Sequence, residues 1–131
     1  MTKEKTKRDW WQKGRGLDLW SIPHFLFGIL TAALSSLAGM SLFSGLAITI
    51  GLAILWEVFE KIIRVRESIQ NILIDILLPI VAYASTMAVL FANPLHPDEL
   101  IVFAVAVLAL YTFTNLSGWF AYRRRKRDFT Y

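Results

Sequence analysis

Five polar residues lie within long apolar runs of this chain: His24, Glu57, Glu60, Asn71 and Asp75. An ionisable side chain near the centre of a membrane helix costs about 2.5–3.5 kcal/mol on insertion scales, so such positions are rarely idle. An imidazole, three carboxylates and an amide make an oxygen-rich donor set, suited to a hard divalent cation such as magnesium, manganese, calcium or iron rather than to a thiolate zinc site. The chain has no cysteine, which excludes disulfides, thiolate ligation and a thiol nucleophile. Glu57 and Glu60 stand three residues apart and so share a helix face, as two ligands of one ion would need. The expected ligands are His24, Glu57, Glu60 and Asp75. Glu57, Asp75 and His24 are also the candidate catalytic groups, as ligand, general base or proton carrier. Asn71, Glu67 and Asn115 are expected to support them, and Arg64 and Arg66 to grip a phosphate headgroup.

Each residue also has a plainer role open to it. Glu57 precedes Lys61 by four residues and Glu60 precedes Arg64 by four, the spacing of ordinary helical ion pairs. Asp75 could bond Asn71, and Asn115 could serve as helix-packing glue. A structural polar layer therefore competes with a cation site.

The elements that must position these groups are four apolar runs, at about 21–39, 41–63, 71–91 and 99–122, each near the roughly 20 residues that cross a bilayer. With 56% hydrophobic residues and a mean hydropathy of +0.50, the 131 residues read as one all-α domain, an integral membrane four-helix bundle. The basic residues fall in three segments: the N-terminal 1–20, the loop holding Lys61, Arg64 and Arg66, and the run Arg123 to Arg127 that opens the tail 123–131. Four crossings put all three on one face, which the positive-inside rule makes cytoplasmic, so both termini are expected there. All five tryptophans, Trp10, Trp11, Trp20, Trp56 and Trp119, fall toward the same face, as an interfacial belt would. The first run is long enough to span and lacks a small-residue cleavage site, so it reads as a retained helix. A net charge of +4 then reflects contact with anionic inner-leaflet lipid, with no nucleic-acid partner. The expected location is the inner cell membrane, multi-pass.

Helix direction brings the polar residues together. The first helix leaves the cytoplasmic face, the second returns and the third leaves again, so His24, Glu57, Glu60, Asn71 and Asp75 reach similar depth. Small residues continue behind each: Gly28, Thr31, Ala32, Ser35 and Gly39, then Ala47, Gly51 and Ala53, then Ala82 and Ser85. Small residues mark faces where membrane helices approach closely. Ser21 is expected to cap the first helix, with Pro23 in its first turn. Pro79 cannot donate to the carbonyl of Asp75, which leaves an acceptor at the cluster.

The pattern of His24 with Gly28, then Leu55-Trp56-Glu57-Val58-Phe59-Glu60, then Glu67, Asn71 and Asp75, resembles small bacterial membrane proteins of the VanZ-like and YjdF-like groups over residues 20–85. The resemblance implies a helical bundle with inward acidic residues and a cell-envelope role without a settled catalytic activity. In place of glycines after the aspartate, this chain reads Ile76-Leu77-Leu78-Pro79.

Two functions follow. One is a non-enzymatic envelope or ion-handling protein with a buried His/Glu/Asp cluster near the cytoplasmic face. The other is a membrane enzyme using a divalent metal on a lipid or lipid-linked phosphate. Phosphate-binding glycine loops, serine elbows and zinc-protease helices are absent from the sequence, which leaves the enzyme question open. Four short spans have little room to enclose a path, so transport would require a homo-oligomer.

Overall fold

The computed structural model describes residues 19–63 and 68–128, the side chains of 125–128 excepted. Four helices make up this part: α1 (Ser21–Leu37), α2 (Leu42–Ile62), α3 (Ile69–Ala92) and α4 (Pro97–Asp128). Three of them are long and apolar enough to cross a membrane, α4 through its first 28 residues. α1 falls short of the expected span: it has 17 residues, about 26 Å at 1.5 Å per residue.

Capping chemistry sets the ends and moves several of them from their expected places. α1 stops at Leu37 rather than Gly39 because Gly39 adopts φ 66°. The Gly39 and Met40 amides turn back onto the carbonyls of Ser36 and Ser35 at 3.2 and 3.0 Å, the paired bonds of a glycine-terminated helix. Ser21 does not cap α1; Trp20 holds that position without a side-chain bond, and Ser21 is already helical. Ser41 caps α2, accepting from the Ser44 amide at 3.1 Å. Ser68 caps α3 by accepting from the Asn71 amide at 3.1 Å, so that helix begins two residues before the expected Asn71. In α4, Pro97 takes the first helical position, where its missing N–H costs nothing. Glu99 reaches back to accept from the His96 amide at 2.9 Å, the second half of a capping box. At its other end α4 runs past Tyr122 to Asp128, because arginine and lysine are good helix formers and favour the negative end of the dipole.

Contacts at both ends give α1, α2 and α3 an alternating, antiparallel order. His24, Glu57 and Asp75 meet at one end. At the other, the Tyr83 hydroxyl donates to the Leu42 carbonyl at 2.9 Å and Ser36 meets the Met87 sulfur at 3.5 Å. α1 is the hub: it packs on all three other helices, α2 also packs on α3, and among the described residues the backbone of α4 comes close to that of α1 alone.

The interior is small and polar and the exterior large and apolar. Ala32, Ala33, Thr49, Ala82, Tyr83 and Asp75 are almost wholly enclosed, whereas Phe43, Ile62, Ile69, Phe91, Val102 and Phe113 lie open. In water this exterior would drive aggregation; with hydrocarbon around it, it needs no partner, and close helix packing depends on small interior residues. The arrangement fits a lipid environment. Two backbones come close at Gly28, where an added Cβ would overlap the Pro79 carbonyl oxygen and lie 2.7 Å from the Ala82 Cβ.

The expected small-residue faces hold for α1 but not throughout. Ala47 and Gly51 of α2 are exposed, and the enclosed face of that helix is Gly45, Thr49, Ala53 and Glu60. On α3, Ser85 is exposed while Pro79, Ala82, Tyr83 and Met87 turn inward. Gly39 sits exposed in the α1–α2 turn. Thr49 selects the α2 face, because its hydroxyl lies 2.8 Å from both the Thr31 hydroxyl and the Gly45 carbonyl, and a buried hydroxyl must find such partners.

Candidate cation site at one end of the bundle

Three helix termini supply the cluster. His24 lies four residues past the Trp20 cap of α1, Glu57 five before the last residue of α2, and Asp75 seven past the Ser68 cap of α3. At 1.5 Å per residue all three fall about 6–10 Å inside the helix ends. The caps thus set the depth, and the inward faces of the helices set the direction.

His24, Glu57 and Asp75 each offer one ligand atom, and these atoms lie within 4.8 Å of one another. His24 Nε2 and Asp75 Oδ2 stand 3.4 Å apart. Ligands on opposite sides of a calcium-sized cation, bound at about 2.4 Å, lie about 4.8 Å apart, so all three atoms fit one coordination sphere. Asp75 is fully enclosed, His24 nearly so, and Glu57 half-buried. Two carboxylates this close repel unless a cation or proton lies between them, and the enclosure raises the cost of leaving their charge uncompensated.

The other predicted residues divide around this triad. Glu60 is buried but takes a different partner, accepting from the Trp56 indole at 3.0 Å, and the group of three does not include it. Asn71 is fully enclosed one turn before Asp75. Lys61 is exposed, while Glu57 turns inward. Asn115 donates to the Tyr111 carbonyl of its own helix at 2.7 Å. Arg64, Arg66 and Glu67 lie outside the described residues, as do Trp10 and Trp11.

Two features escaped the sequence reading. The first is the role of Trp56, whose spacing of four from Glu60 was the available signal. The second is a pocket of about 180 Å³ beside the triad. Trp20 ahead of α1 and Pro23, His24 and Phe27 within it form its floor, Leu52, Ala53 and Trp56 of α2 one wall, and Tyr111 and Asn115 of α4 the other. It lies where α2 and α4 both pack on α1 while their own backbones stay apart among the described residues. No spacing rule reports such an opening. A second pocket, about 160 Å³, lies at the opposite end between α3 and α4 and has no ionisable lining.

Chemically, the triad can hold a hard cation or share a proton between imidazole and carboxylate. Compared with family models, curated proteins and solved structures, the chain matches none.

Proposed function

We propose that this chain is a multi-pass protein of the inner cell membrane that binds one divalent cation through His24, Glu57 and Asp75, just beneath the headgroups of the cytoplasmic leaflet. Both termini face the cytoplasm in this reading, because the three basic segments then share that side. The role is ion handling or envelope maintenance rather than catalysis, in line with the resemblance to the VanZ-like group. The convergence of one imidazole and two carboxylates from three helices carries the reading. Glu60 and Asn71 are buried at the same end.

Metal analysis of the detergent-purified protein tests it. About one magnesium, manganese, calcium or iron per chain is expected after dialysis, and Asp75→Asn combined with Glu57→Gln should remove it while helical circular dichroism persists. A metal-free wild type in titrations with each ion, or a double variant that binds as the wild type does, would overturn the reading. A second function has one observation in its favour: the pocket beside His24 gives lateral access to the site, as an enzyme acting on a lipid phosphate with a bound metal would need.

A further inference from the structure

The donors of the triad separate hard cations from transition ions. One of its three ligands is the His24 imidazole, which suits first-row transition metals, whereas magnesium and calcium take oxygen. Enclosure works in the same direction. Asp75 is fully buried and His24 nearly so, so an ion between them gives up much of its water, which magnesium does reluctantly. Calcium takes about six to eight oxygens, and the carboxylates of Glu57 and Asp75 offer at most four between them. His24 Nε2 and Asp75 Oδ2 face each other at 3.4 Å, longer than the roughly 2.7–2.9 Å of a charge-assisted N–H···O bond. Two ligands about 2.1 Å from one ion stand about 3.4 Å apart at the tetrahedral angle, and about 2.4 Å from calcium they do so at a right angle. The gap therefore suits an ion better than a shared proton, and the choice of ion falls to the donors.

We propose that the ion held by His24, Glu57 and Asp75 is a first-row transition cation, manganese or iron(II), in preference to magnesium or calcium, with the His24 imidazole as the selecting ligand. The inference rests on the cation reading above and gives that ion its chemical class. Manganese and iron(II) accept carboxylate oxygen and imidazole nitrogen together. Three protein ligands leave positions for water. Two carboxylates balance a divalent charge, and a neutral imidazole adds a ligand without adding charge. The assembled site is then neutral, where an unbalanced charge would be costly. Glu57 is half-buried and carries its carboxylate on a long side chain, so it can close on the ion while the enclosed His24 and Asp75 hold the frame.

Manganese is the probe, because it is paramagnetic and reports the atoms bound to it. The detergent-purified full chain is titrated separately with manganese, magnesium and calcium, and the manganese-loaded protein is examined by pulsed electron paramagnetic resonance for coupling to nitrogen. Manganese is expected to bind about a hundredfold tighter than magnesium or calcium, and His24→Gln to cut that preference about tenfold. The wild type should show the coupling of a directly bound imidazole, and His24→Gln should lose it. His96→Gln changes the other histidine of the chain, which is exposed, and should leave coupling and preference as they are. The wild-type coupling decides the matter even if His24→Gln fails to fold. Magnesium or calcium bound as tightly as manganese, or bound manganese without nitrogen coupling, would refute this inference and leave the cation reading standing. A chain that binds no divalent ion would refute both.

Discussion

Replacing Gly28 by alanine probes the contact on which the proposed cation site rests. The added Cβ would overlap the Pro79 carbonyl oxygen and stand 2.8 Å from the Pro79 Cα and 2.7 Å from the Ala82 Cβ. Carbon atoms settle at about 3.5–4.0 Å, so α1 and α3 must separate by about 1 Å. Two of the three obstacles are backbone atoms of a proline within a helix, which no rotamer change can move aside. Overpacking of this kind costs about 1–3 kcal/mol, against a helix-propensity gain of about 1 kcal/mol for glycine to alanine. A net loss of up to about 2 kcal/mol is expected. Gly51→Ala is the matched control, because nothing lies within 4 Å of the Cβ it would add, and it should be neutral or slightly stabilising. The assay is reversible unfolding in mixed micelles, followed by circular dichroism, with metal affinity measured on the same samples. Moving α1 from α3 also draws His24 from Asp75, so affinity should fall with stability in Gly28→Ala alone. Equal stability and equal affinity in the two variants would refute the reasoning.

Ser68→Ala removes the α3 cap beside Asn71 and should cost about 0.5–2 kcal/mol in the same unfolding assay. Trp56→Phe deletes the indole donor to the buried Glu60 carboxylate, with an expected loss of about 1.5–3 kcal/mol; an unchanged midpoint would show the bond to be idle. A double-mutant cycle on Thr31→Val and Thr49→Val should return a coupling of about 0.6 kcal/mol, the average for hydroxyl pairs between membrane helices. Since the chain has no cysteine, Leu95→Cys and Asp128→Cys can be tested one at a time with an impermeant thiol reagent on intact cells. Labelling at 95 and protection at 128 are expected, and the reverse pattern would invert the proposed orientation.

His24, Glu57 and Asp75 were legible in the sequence because ionisable groups stand out in apolar runs and because helix direction alone fixes relative depth. The faces were harder to read. Alanine and glycine suit both a close helix contact and a surface open to lipid, so Ala47 and Gly51 carried no direction, whereas Thr49 does through its hydroxyl partners. The separation of Glu57 from Glu60 was equally hidden. Residues three apart are about 60° apart around a helix, enough for one to meet His24 and the other to take the Trp56 indole. The hub position of α1 left no mark on local spacing, since it depends on which helices fail to touch. The extra turns at the start of α3 and α4 were available in Ser68 and in the His96-Pro97-Asp98-Glu99 run, both standard cap chemistry.

The central place of α1 bears on how the protein comes to be assembled. It emerges from the ribosome before the other three helices, yet the helices that pack on it are made later. With 17 residues and an imidazole near one end, it is the segment least able to hold a transmembrane position alone. The Thr49 partner of Thr31 and the Asp75 partner of His24 arrive only with the second and third helices. A ribosome-bound intermediate ending after α2 would lack the Asp75 partner of His24.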